Sequence, residues 1–216
     1  SVYEDRIEIL DREGRLQRSI SLLDAWTASP FRFLLPVVEG LAWSAQRGQG
    51  EPVLDLLHAN HVEELDGSLA RRSPLYAQGN LLVSFRNVSS IAILDPSWGP
   101  NNLVSQHHPT MQADGRILVF NNGTEASEVL EVDPVSLRVP WRYRPEQGFF
   151  TATRGSSQRL PNGNTLVTES NRGYVFEITP TGEKVWEWAN PLFLEGGKRA
   201  FVWRMTRYPA ERWTSH

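Results

Sequence analysis

The chain has 216 residues, 40% of them hydrophobic and 22% charged, and carries a net charge of -3. That composition allows a sizeable core but argues against a general nucleic-acid or anionic-membrane binder, and no apolar run reaches the ~18 residues of a membrane span. Cysteine is absent, which excludes disulfides, thiol nucleophiles and thiolate metal sites, while 16 glycines, 14 prolines and 8 tryptophans point to a turn-rich, all-β chain.

Residues 1–6 have neither the basic head nor the apolar body of a leader, and numbering from a serine leads us to expect a gene that begins further upstream. Residues 6–21 read as two strands, the second half of a four-stranded unit. Ser21 to Trp26 predicts a helical turn or two. Residues 27–57, with several prolines, glycines and scattered aromatics, read as a long irregular excursion of the kind that serves as a lid or contact surface.

From residue 78 a unit repeats three times. Residues 78–96 read Gln-Gly-Asn, then LLVSFRN (81–87) and IAILDP (91–96). Residues 114–134 read Asp-Gly-Arg, ILVFNN (117–122) and VLEVDP (129–134); residues 162–180 read Asn-Gly-Asn, TLVTESN (165–171) and VFEITP (175–180). The glycines suit the positive φ of tight hairpins, the alternating apolar residues suit faces packed between neighbouring units, and the proline ends a strand. Further strands are predicted at 139–143, 184–188 and 202–208. The glycines at 79, 115 and 163 are spaced close to the roughly 40–50 residues of a propeller blade. The fold class is therefore read as all-β: a β-propeller of four-stranded antiparallel blades, about three full and others partial, forming one domain portion over residues 1–216. Asp95-Pro96 and Asp133-Pro134 read as turns, and Trp141, Trp186 and Trp188 as packing residues of outer strands.

Four of the five histidines fall in two groups, His58-Ala59-Asn60-His61 and Gln106-His107-His108-Pro109, each just before a predicted first strand. In a propeller such positions converge on the central channel. Arg86-Asn87 follows one inner strand, and Arg154-Gly155-Ser156-Ser157-Gln158 opens the third repeat. Imidazole, guanidinium and amide together suit an anionic, tetrahedral group: arginine offers a permanently charged planar fork, asparagine a neutral donor. A neutral histidine can attack as a nucleophile while a protonated one gives a proton to the leaving oxygen. Structural alternatives stand beside each residue. The histidine groups also fit strand caps, Arg86 a surface cation, and Arg154 a bridge between units. The histidines meet no standard zinc-ligand spacing, and neither a metal nor a cofactor is expected. No Walker-type loop points to nucleotide phosphates.

On these elements the sequence resembles the propeller-type bacterial arylsulfate sulfotransferases. The carriers are His58-Ala59-Asn60, GNLLVSFRN from Gly79, IAILDP, Gln106-His107, RGSSQRLPNGNTLVTES from Arg154 and VFEITPTGEKVWEW from Val175. The resemblance implies a propeller of about six blades, of which this chain is the later part, and ping-pong transfer of a sulfuryl group from an aryl sulfate donor to a phenolic acceptor. It implies His107 as the nucleophile, His58 as the proton donor, and Asn60 and Arg86 as holders of the sulfuryl group, Arg86 clamping developing charge; Arg154 is a further substrate-binding candidate. His108-Pro109 stands where many relatives have an acidic residue. An earlier sulfate-binding histidine of the family has no counterpart before His58. The family also implies an exported, periplasmic location. The other function class consistent with the sequence is a non-catalytic propeller docking in a larger, membrane-associated assembly through 27–57.

Overall fold

The computed structural model describes residues 2–29, 32, 54–93, 95–98, 103, 105–146 and 148–209. The lid or contact surface expected within 27–57 lies outside the described residues over 30–53 apart from Arg32, as does His216. The chain divides into two compact units, 1–105 and 106–216.

The first unit opens with β1 (Val2–Tyr3) and a hairpin of β2 (Arg6–Leu10) and β3 (Leu16–Ser21), as the pattern of 6–21 predicts. Asp11 shapes the turn by accepting the N–H groups of Glu13 and Arg15 at 3.0 and 2.9 Å. Helix α1 (Leu22–Ala28) follows at once because the Ser21 hydroxyl caps the Asp24 N–H at 3.1 Å. Strand β4 (Leu54–Asp55) pairs in parallel with β1. Then β5 (Ala59–Glu64), β6 (Leu81–Phe85), β7 (Ser90–Ile93) and β8 (Asp95–Trp98) form an antiparallel sheet in chain order. All of β6 is buried, which is why it reads as an apolar run broken only by Ser84. Leu22 and Trp26 of the helix pack with Leu57, Leu81, Val83 and Phe85 to make this unit's core.

The second unit holds two more such sheets. One is β9 (His107–Met111), β10 (Ile117–Asn121), β11 (Glu128–Asp133) and β12 (Arg138–Tyr143). The other is β13 (Ser156–Arg159), β14 (Thr165–Glu169), β15 (Tyr174–Ile178) and β16 (Lys184–Ala189). Leu118, Phe120 and Val129 of one sheet pack with Val167, Phe176 and Ile178 of the other around Phe149. Trp141 joins this layer and donates to the Pro180 carbonyl at 3.0 Å; Trp188 packs on the far face of the last sheet. The molecule is all-β, built of four-stranded antiparallel sheets in up-and-down order, an arrangement consistent with propeller blades. Among the described residues no helix is long and apolar enough to cross a membrane.

Two local expectations need correction. Asp95-Pro96 is not a turn but the start of β8, so the first sheet has its fourth strand; a proline is tolerated there because an edge strand does not need its ladder donor. Residues 202–208 form no strand. Their backbone is held by side chains instead: Met205 N–H donates to Thr168 Oγ1 at 3.2 Å, and Arg207 exchanges bonds of 2.8 and 2.9 Å with the Gln158 amide. The segment crosses the face of the last sheet and packs Val202 and Met205 over Leu160, Leu166 and Val175.

Candidate functional site

The predicted site residues fall into one cluster in each unit. In the first unit, His58 precedes β5 in the left-handed region (φ 49°), Asn60 lies at the irregularity between the Ala59–Phe85 and His61–Ser84 pairs, and Arg86 follows β6. Three bonds stitch the two loops together. Arg86 N–H donates to the His58 carbonyl at 3.1 Å, Asn87 N–H to the Leu57 carbonyl at 3.1 Å, and the Asn87 amide to the Asp55 carbonyl at 2.6 Å. The Arg86 guanidinium donates to Asn87 Oδ1 at 2.9 Å. His61 lies further along β5, opposite Ser84.

Asp55 is a partner of a candidate site residue that the sequence reading missed. Its carboxylate binds both the His58 N–H (3.0 Å) and the ring Nδ1, which fixes the ring and leaves Nε2 as its working nitrogen. Asp5 accepts the Ala59 N–H at 2.9 Å; burial, with the nearby charge of Asp55, pushes its carboxyl above the usual range. The D-x-x-H spacing of Asp55 and His58 was the available signal.

In the second unit, His107 begins β9, and Arg154, two residues before β13, meets it. The His107 ring is held at both nitrogens. Nδ1 lies 2.7 Å from Asn122 Oδ1, and Nε2 accepts the Arg154 backbone N–H at 3.2 Å. Asn122 is fully buried, and its amide donates to the carbonyls of Thr151 (2.6 Å) and Arg154 (2.8 Å). Its oxygen therefore faces the ring, so Nδ1 carries the hydrogen and Nε2 the lone pair. Arg154 reaches this contact only by adopting φ 66°. Gly155 beside it could not be another residue: a Cβ would stand 2.5 Å from Phe120 Cε1. His108 turns away, with Nδ1 donating to the Ser157 carbonyl at 3.1 Å.

Asn87, Asn122 and Asn171 each stand one or two residues after the second strand of a sheet, and each ties down a loop. Asn171 bonds the Thr151 hydroxyl and sits within reach of Thr153. Their recurrence in LLVSFRN, ILVFNN and TLVTESN was readable, but as a repeat feature and not as a site. His58, Ser105 and Arg154, all non-glycine residues with positive φ, stand one or two residues before the first strands of the three sheets. Such strain, about 1–3 kcal/mol per residue, persists where surrounding bonds over-determine the backbone, and it clusters at functional sites. Among the described residues no group of three His, Asp or Glu side chains is placed to hold a metal ion.

A family model described as arylsulfotransferase (ASST) matches residues 14–191, most of the chain and both clusters. The chain belongs to the arylsulfotransferase family. Among solved structures it resembles a crystal structure of a protein of unknown function from Bacteroides caccae, at 16% identity and a TM-score of 0.51. The match covers 89% of this chain but 59% of that one, so the likeness speaks to fold, and the present chain spans part of that protein's length. No curated protein matches the chain.

Proposed function

We propose that the chain is the later part of a six-bladed propeller and carries sulfuryl-transfer residues of an aryl sulfate:phenol sulfotransferase. The observation that carries this reading is the fixed tautomer of His107: with hydrogen on Nδ1 and Asn122 as its acceptor, Nε2 is the nucleophilic nitrogen. In the first half-reaction Nε2 attacks sulfur, the bond from sulfur to the aryl oxygen breaks, and the phenolate takes a proton from a general acid, the role that the resemblance to the family assigns to His58. Asp55, bound to the His58 Nδ1, holds the ring for that transfer. In the second, an acceptor phenol returns its proton to His58 while its oxygen attacks sulfur and the N–S bond breaks. Asn60 and Arg86 supply donors to the sulfuryl oxygens, whose charge grows in each transition state. The Arg154 N–H occupies Nε2 at a distance near the long end for such bonds, so attack requires that contact to open.

The test is transfer of sulfate from a chromogenic aryl sulfate to a phenol by the full-length protein. His107→Ala should abolish transfer, and donor-treated wild type should carry one sulfuryl group on His107 by mass spectrometry. Equal rates in wild type and His107→Ala, or no modification of that residue, would reject the assignment.

A further inference from the structure

The Arg154 side chain has a setting that the transfer scheme leaves unused. Its guanidinium carbon lies 4.1 Å from the centre of the Trp203 ring and 4.4 Å from that of Phe201, in a corner whose two rings meet at 83°. Among the described residues it has no carboxylate partner. Its Nε is buried without a hydrogen bond, and its one side-chain bond is a long 3.5 Å contact to Thr153 Oγ1. A guanidinium enclosed by rings and short of acceptors favours an anion, because it stays charged while its donor fork meets only the distant Thr153 hydroxyl.

The rings are also out of keeping with simple packing. Trp203 is 65% exposed and Phe201 40% exposed. Yet their backbone is pinned: Val202 N–H donates to the Ser170 carbonyl at 3.1 Å, the Ser170 hydroxyl donates to the Trp203 carbonyl at 3.2 Å, and Asn190 reaches the Ala200 carbonyl at 3.1 Å. The same Ser170 hydroxyl accepts the Gly155 N–H at 3.0 Å, tying the ring segment to the turn that touches His107. Large rings held at fixed positions in the open form a surface ready to receive another flat, apolar group.

We infer that Arg154, Phe201 and Trp203 form an aryl-anion clamp, in which the guanidinium takes the sulfate oxygens of the donor and the two rings receive its aromatic ring. This rests on the reading of His107 as sulfuryl acceptor only for the identity of the ligand as donor. The clamp selects aromatic over aliphatic sulfates, since an aliphatic ester satisfies the guanidinium but leaves the rings uncovered.

Binding without turnover tests it. The full-length protein is titrated calorimetrically with 4-nitrobenzenesulfonate, which cannot transfer its sulfonyl group, and with methanesulfonate. Trp203→Ala should weaken the aryl sulfonate about ten-fold and leave methanesulfonate unchanged, and Trp203→Phe should restore most of the loss. Phe201→Leu, which keeps an apolar side chain without the ring, should act in the same direction, and Arg154→Ala should weaken both ligands. Equal weakening of both ligands by Trp203→Ala, or undiminished aryl binding, overturns the clamp. Selective loss of aryl binding in a protein that transfers no sulfate keeps the clamp and rejects the transfer chemistry; normal transfer with unchanged aryl binding does the reverse.

Discussion

Asn122 shows how one side chain fixes the chemistry of another. Both of its amide hydrogens are committed to carbonyls, so its oxygen can only accept, and the His107 ring must present a hydrogen at Nδ1. Asn122→Ala strands the Thr151 and Arg154 carbonyls and releases the ring. Each buried group left unpaired costs about 1–3 kcal/mol, so a stability loss in that range or somewhat above it is expected by urea unfolding. A merely structural role would stop there. A positioning role also predicts that the ring nitrogens, read by 15N NMR, change from a single Nδ1–H form in the wild type to a tautomer mixture in Asn122→Ala, with kcat falling more than KM rises. Retention of the single tautomer would show that something other than Asn122 sets it.

At the level of elements, the parts legible in the sequence were those written in residue type. The hairpins followed from Asn-Gly and Asp-Gly, the strands from apolar runs such as ILVF, and α1 from Ser21 ahead of an apolar pair. That cap gives a direct check. Ser21→Ala removes the acceptor of the Asp24 N–H and should lower stability by about 1 kcal/mol in denaturant titration, whereas Ser21→Asn should keep most of it. No loss in Ser21→Ala would mean that packing of Leu22 and Trp26 alone holds the helix. The stretch 202–208 misled for an equally physical reason. Its β-branched, aromatic and other apolar residues fit a strand, but composition does not supply ladder partners, and here Val202 and Met205, three apart, lie half-buried against a sheet face with side chains in place of ladder bonds. The candidate site was half legible. His58, Asn60, Arg86, His107 and Arg154 stood out by type and position. The left-handed turns at His58 and Arg154 did not, because nothing in a histidine or arginine announces a positive φ. Asp55 went unread despite its local D-x-x-H spacing, Asn122 took its role only once folding brought loops together, and Trp203 was read only as part of a predicted strand because its distance in sequence from Arg154 hid the stacking.

Across the whole molecule, each unit contains a carboxyl held above its ordinary range and others held below it, and among the lowered ones Glu177 is the buried case. Asp5 and Glu169 are raised chiefly by burial, which the Phe150 N–H and the exposed Arg172 near Glu169 only partly offset. Glu177 is also pushed upward by burial, yet bonds from Asn164 and Asn162 and the ion pair with Arg207 outweigh this and leave it lowered. The signs follow by linkage. A raised carboxyl binds its proton more tightly in the folded state, so its contribution is most favourable below the ordinary carboxylate range and is lost as pH rises through that range to the raised value. A lowered one contributes above the ordinary range and loses that contribution as pH falls towards its depressed value. Glu169→Gln keeps an acceptor for the Phe150 N–H, cannot ionise, and gives up only a pair with an exposed arginine, a loss of little weight. Its melting temperature should therefore exceed that of the wild type at pH 8, and the advantage should shrink steadily as the pH is lowered to 4. Glu177→Gln should behave oppositely, less stable than wild type at pH 8 and converging on it in acid. Thermal melts of the three proteins across this range decide the matter: differences that stay constant with pH would mean that neither carboxyl changes its proton affinity on folding.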